Sequence, residues 1–147
     1  MPELVGGTAW LNGEKTKVEL IGGKPTLIHF WSVSCNICKV SLPDINVFRD
    51  RFKDELNVIA VHIPRSDADL DLELIKAIAK EHDIQQPIVV DSEMKLTDAF
   101  GNEHVPAYYV FDKNGQLRHF QAGGKGMKML EKRVHRVLYE MKNENQG

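Results

Sequence analysis

Cys35 and Cys38 are the only cysteines among the 147 residues of the chain, and they stand three positions apart. Two thiols at that spacing can run an exchange cycle. A thiolate attacks a disulfide, a mixed disulfide forms, and the second thiol resolves it. The segments around the pair say where it sits. Thr26–Trp31 is a short apolar run rich in β-formers, bounded by Gly22-Gly23 and Ser32, and reads as a buried strand. From Asn36 to about Phe52 the apolar positions Ile37, Val40, Ile45, Phe48 and Phe52 recur near helical spacing. Pro43 interrupts that pattern and is expected to kink the helix. Cys35 then falls at a helix N-terminus, where free N–H groups and the helix dipole stabilise a thiolate. Cys38 follows one turn later on the same side.

Two cysteines at this spacing have three competing uses. A structural zinc needs four ligands, typically from a second CxxC or a pair of close histidines. Here the six histidines (29, 62, 82, 104, 119 and 135) are scattered singly. Two thiols buried as small hydrophobes are the bland alternative, which the strand–helix setting disfavours. A peroxide-reducing site wants Pro-x-x-x-Thr/Ser-x-x-Cys. Ser32 meets the hydroxyl condition, but Ile28 holds the proline position, so the pattern is broken.

Composition narrows the class further. Apolar residues make up 42% of the chain, and the net charge is −2 from 19 basic and 21 acidic residues. That balance excludes disorder and gives no electrostatic footprint for nucleic acid. Two cysteines are too few for a disulfide-dense scaffold. The uncharged stretch Pro25–Cys38 is shorter than the roughly 20 apolar residues a membrane helix needs, and it holds His29, two serines and Asn36. Met1-Pro2-Glu3-Leu4 carries neither a basic n-region nor an apolar h-region, so the plain expectation is a cytoplasmic protein.

The remaining elements follow from periodicity and turn chemistry. Val58–Ile63 reads as a second strand closed by Pro64. Leu70, Leu74, Ile75, Ile78 and Ala79 form one face of a helix that begins after the acidic stretch Asp67–Asp71. Pro87–Val90 reads as a third strand, followed by a short helix near Lys95–Phe100. Ala107–Phe111 and Gln116–Gln121 flank Asn114-Gly115 as a hairpin. Met127, Leu130, Val134, Val137, Leu138 and Met141 place an apolar stripe on a last helix. Near the start, Thr8–Leu11 and Lys17–Ile21 flank Asn12-Gly13 and predict an extra hairpin. Parallel strands with crossover helices, ending in an antiparallel pair, define an α/β three-layer sandwich with a mixed sheet.

The segment Phe30-Trp31-Ser-Val-Ser-Cys35-Asn-Ile-Cys38-Lys39, with Pro43 five after the second cysteine, resembles the active-site segment of the thioredoxin superfamily. Val105-Pro106, the strand Ala107–Phe111 and Asp112-Lys-Asn-Gly115 resemble that fold's cis-proline loop and following hairpin. The N-terminal hairpin and the long stretch at about 64–90 are similar to the TlpA/ResA-like branch of thiol–disulfide oxidoreductases. The resemblance spans nearly the full length and implies a single thioredoxin-like domain over 1–147. It implies that Cys35 is an exposed nucleophile and Cys38 a buried resolving thiol. It also implies that Pro106 is a cis-proline facing the sulfurs, that Val105 offers backbone hydrogen bonds to an extended substrate, and that Trp31 packs beside the site.

Three departures from that family pattern matter. The dipeptide between the cysteines is Asn36-Ile37, neither Gly-Pro nor Glu-Pro, so the redox potential does not carry over. His29 stands six before Cys35, at the place of thioredoxin's buried aspartate, and is a candidate acceptor for the Cys38 proton. Ser41 stands three after Cys38, where ResA-like proteins tend to have glutamate. Lys39, Glu103-His104 and the basic last helix (Lys128, Lys132, Arg133, Arg136) read most simply as solvated charge. The expectation is a monomeric disulfide reductase with protein substrates and a thiol electron donor, needing no cofactor or metal. The alternatives are an extracytoplasmic cytochrome-maturation reductase lacking its anchor, and a binding domain whose thiols are inert.

Overall fold

Among the described residues, six strands form one sheet in the order β1-β4-β3-β2-β5-β6. The strands are β1 (Ala9–Leu11), β2 (Thr26–Trp31), β3 (Asn57–His62), β4 (Ile88–Val90), β5 (Ala107–Phe111) and β6 (Leu117–Ala122). The helices are α1 (Lys17–Leu20), α2 (Asn36–Arg51), α3 (Leu72–Glu81), α4 (Lys95–Phe100) and α5 (Met127–Gln146), with a 3-10 turn at Asp67–Leu70 before α3. This computed structural model describes residues 1–146, with side chains through residue 143. β2, β3 and β4 run parallel, β5 runs antiparallel to β2 and β6, and β1 runs antiparallel to β4.

Every residue of β2 is buried, as expected of a strand covered on both faces. On one face Leu27 packs with Ile45 and Phe48 of α2, with Phe52 at its C-cap, and with Leu130 and Val134 of α5. Further along that face Trp31 packs with Cys35, Cys38 and Leu42, and with Ile75 and Ala79 of α3. On the other face Ile28 and Phe30 meet Leu4, Leu20 of α1 and Leu96 of α4. Three layers result. Asp91, fully buried, caps α4 by accepting from Leu96 N at 3.0 Å, Thr97 N at 2.8 Å and Thr97 Oγ1 at 2.8 Å.

Two expectations need correction. The second arm of the N-terminal hairpin does not form: Lys17–Leu20 is a helical turn. Thr16 Oγ1 accepts from Glu19 N at 3.3 Å while Glu19 Oε1 accepts from Thr16 N at 3.1 Å, a reciprocal capping box that wins locally over strand pairing. Asn12 and Gly13 do adopt positive φ, but β1 finds its partner in β4, with Trp10 opposite Val89. The second correction concerns the helix after the acidic stretch. Leu70 and Leu74 point outward, and the inner face of α3 is carried by Ile75 and Ala79. The acidic stretch itself divides: Asp71 caps α3 through Glu73 N and Leu74 N, whereas Asp69 is buried and turns elsewhere.

Candidate active site

β2 ends at Trp31, the chain turns through residues 32–35, and α2 begins at Asn36. Cys35 is the N-cap of that helix. It is bonded to Cys38 in a disulfide with the Cα atoms 5.3 Å apart. Its sulfur accepts a hydrogen bond from Cys38 N at 3.1 Å. In the reduced protein that N–H and the positive end of the helix favour a thiolate at this position. Cys35 is only 2% exposed, which corrects the expectation of an exposed nucleophile for the disulfide state. The bond to Cys38 and the capping interaction draw the sulfur in toward the first turn. Pro43 lies inside α2, one turn beyond Cys38, and leaves the Lys39 carbonyl without its helical donor.

The Val105–Pro106 peptide is cis. Pro106 is buried, and Val105, half-buried, packs against the cluster that holds both cysteines. The loop before it is tied down by Asn102, which donates to His104 O at 2.8 Å and accepts from Tyr109 Oη at 2.9 Å. Gly123 N donates to Pro106 O at 2.9 Å and anchors the other side. Ser34, Cys35, Asn36, Ile37, Arg65, Glu103, His104 and Val105 together line an open groove of about 490 Å³. Ile37 is 58% exposed beside it and offers an apolar contact that periodicity assigned only to a helix. A Cβ on Gly124 would overlap the Ile37 side chain, so glycine lets the turn after β6 pass close to the active-site helix.

His29 is fully buried in β2 on the same face as Trp31, and its hydrogen bonding settles its tautomer. Arg49 Nη1 donates to Gln86 Oε1 at 2.8 Å, which fixes the amide orientation because arginine has no acceptor. Gln86 Nε2 therefore donates to His29 Nε2 at 2.8 Å, and the ring proton sits on Nδ1. Burial, reinforced by the Arg49 charge, pushes the imidazole down to about 3. The one free lone pair of the ring is already engaged, so this geometry gives His29 a structural role and works against its taking the Cys38 proton. Ser41, buried on α2, donates to Ile37 O at 3.2 Å. Accordingly, His29→Ala is expected to leave the pH profile of thiol alkylation in the reduced protein unmoved. A displacement of the profile by a full unit would restore the proton-acceptor role.

A second histidine, which its residue type marks only as a possible metal ligand, stands closer to the redox motif. His62, at the end of β3, accepts from Val33 N at 3.2 Å through Nε2, and its ring meets Trp31 edge-on with centroids 4.9 Å apart. Burial pushes it down to about 4, against the pull of Asp69. Among the described residues, Trp31 Nε1 and His62 Nδ1 are the buried side-chain nitrogens left without a hydrogen-bond partner.

A disulfide across the first turn of a helix that follows the central strand, facing a cis-proline loop in a three-layer sandwich, defines a thioredoxin-like protein. The chain belongs to the AhpC/TSA family, which residues 7–120 match. It is 70% identical over 140 residues to the thiol-disulfide oxidoreductase YkuV of Bacillus subtilis (strain 168), with 95% of each chain covered. It is 30% identical over 145 residues to protein DipZ of Mycobacterium bovis, spanning 96% of this chain and 21% of that one. Among solved structures, a thioredoxin-like protein in its oxidised form superposes with a TM-score of 0.89 at 70% identity, covering 95% of both chains. With its paired cysteines, the chain is a thiol–disulfide oxidoreductase.

Proposed function

We propose that this oxidoreductase works in the direction of reduction, on disulfides of protein substrates, as a monomer in the cytoplasm. The observation that carries the reading is the placement of Cys35 at the start of α2 in a groove shared with Val105. The Cys35 thiolate attacks one sulfur of the substrate disulfide, and the other leaves as a thiolate. Cys38 then attacks the Cys35 sulfur of the mixed disulfide, releasing the second substrate thiol and closing Cys35–Cys38. Two electrons pass to the substrate, and a thiol donor reopens the protein disulfide. An extended substrate segment beside Val105 is held through backbone hydrogen bonds, which accept varied sequences. The α2 N-terminus favours the Cys35 thiolate, and Val105 and Pro106 carry the substrate segment past it.

The reduction potential of the pair tests the direction, measured in glutathione buffers with Trp31 fluorescence as the readout. A value near about −270 mV is expected of a general reductant. A value near about −120 to −180 mV would mark an oxidase or isomerase instead and overturn the proposal.

A further inference from the structure

The turn that carries Cys35 is stitched, residue by residue, to the segment leaving β3. Ile63 N donates to Trp31 O at 2.9 Å, Ser32 Oγ donates to Ile63 O, and Val33 N donates to His62 Nε2 at 3.2 Å. The last stitch is a charge. Asp69, in the 3-10 turn before α3, accepts from Ser34 Oγ at 2.7 Å and from Arg65 N at 2.8 Å, both on Oδ2. Asp69 is 2% exposed. A buried carboxylate is costly and persists only where hydrogen bonds and nearby charge compensate for lost water. The bond to Arg65 N, with the backbone bond from Asp69 N to Ser66 O at 3.1 Å, closes the turn after β3. The bond to Ser34 reaches 35 positions back to the residue immediately before Cys35.

From this geometry we infer that Asp69 is a positioning residue of the redox centre: it fixes Ser34, and with it the neighbouring Cys35, and its charge sets how readily the Cys35 thiol ionises. The inference rests on the reading of Cys35 as the nucleophile. Like charges disfavour each other, so a carboxylate hydrogen-bonded to the residue before Cys35 opposes the thiolate that the α2 N-terminus promotes. The other charged or titratable groups around Cys35 are Arg65, Glu103 and His104, which line the same groove, and Lys39 on α2. His62 faces Asp69 from β3 and is held neutral by burial, so it does not cancel the carboxylate. Held this way, the pair keeps a less stable thiolate and a more reducing character than the helix terminus alone would give.

Asp69→Asn separates charge from geometry, because the amide oxygen still accepts from both Ser34 and Arg65. The readouts are the pH profile of iodoacetamide alkylation of the reduced full chain, with the modified cysteine located by mass spectrometry, and the equilibrium with glutathione. In Asp69→Asn the alkylation midpoint of Cys35 is expected to fall by about one unit, and the glutathione equilibrium at neutral pH to move about tenfold toward the dithiol. Ser34→Ala keeps the charge, and its midpoint is not lowered. Should Asp69→Asn fail to fold, the double variant Ser34→Ala/Asp69→Ser carries the same test, since it removes the charge and the Ser34 hydroxyl together and keeps a side-chain oxygen in the turn that holds Arg65 N. A midpoint in the charge-free variant that matches the native protein, with an unchanged glutathione equilibrium, would overturn the inference. Alkylation of native protein at Cys38 rather than Cys35 would overturn the nucleophile reading beneath it.

Discussion

Cys35→Ser is expected to abolish disulfide reduction, whereas Cys38→Ser is expected to hold the substrate on the protein as a mixed disulfide. The asymmetry follows from the helix start. Cys35 caps α2 and lines the groove beside Val105, where a substrate sulfur can approach. Cys38 is buried one turn in, behind it, among Trp31, Leu42 and Ile75. A serine hydroxyl does not ionise near neutral pH even with the Cys38 N–H to accept from, so nothing attacks. With Cys38 replaced, the first step proceeds and the resolving step cannot. Neither change should be confused with loss of fold. The disulfide closes a loop of only four residues and is worth about 2 kcal/mol on chain-entropy grounds, a contribution the reduced protein already lacks. Insulin reduction and non-reducing gels after incubation with a disulfide-containing protein give the readouts. A covalent adduct formed by Cys35→Ser but not by Cys38→Ser would reverse the assigned roles.

Much of this site could be read from local pattern because the parts that carry it are local. Thr26–Trp31 and Ala107–Phe111 have the bounds that their apolar runs predict, and the short helix expected near Lys95–Phe100 is there. The cysteine pair lies within one helical turn, so spacing alone places both sulfurs together. What escaped was of two kinds. The N-terminal hairpin lost to a capping box whose signature, Thr16-x-x-Glu19, is present in the sequence but competes with a strand-like run and an Asn-Gly dipeptide. The second kind is long-range. His62 and Asp69 meet Val33 and Ser34 across 29 and 35 positions. No periodicity encodes such contacts, and they arise only once β2 and β3 lie side by side with Trp31 opposite His62. His29 shows the same limit from the other direction. Its position in the chain suggested proton transfer, but its chemistry is set by Gln86, 57 positions downstream, and by the charge of Arg49 on α2.

Those two histidines lead to the second large expectation: the protein is expected to lose about 5 kcal/mol of folding stability between pH 7 and pH 4.5. In the unfolded chain each imidazole binds its proton near 6.5, whereas in the fold His29 does so only at about 3 and His62 at about 4. Between those values the unfolded chain carries protons that the folded chain does not, so acid favours unfolding. The loss begins as pH falls below about 6.5. It stops growing as pH drops through about 4 for His62 and about 3 for His29. Two units below 6.5, each ring costs about 2–3 kcal/mol. A domain of this size has roughly 5–15 kcal/mol in total, so the effect is large. Asp50 and Glu140, held below the usual carboxylate range by hydrogen bonds from Arg49 and Arg118, act in the same direction at lower pH still.

Urea unfolding across this range measures both the size of the effect and its origin. The slope of stability against pH between about 5 and 6 should correspond to the uptake of about two protons on unfolding. His29→Leu removes one of the two titrating rings. It also leaves the Gln86 amide without its acceptor, so the variant is less stable at every pH by about 1–3 kcal/mol. Its slope, which is independent of that offset, should fall to about one proton. His62→Leu should lower the slope equally, and it also frees the Val33 N–H beside the redox motif. If stability is flat from pH 6.5 to 4.5, or if neither substitution changes the slope, then the two imidazoles are not held neutral by the fold. In that case His29 would titrate in the fold near the ordinary imidazole range, and its exchange of a proton with Cys38 would be tested again first.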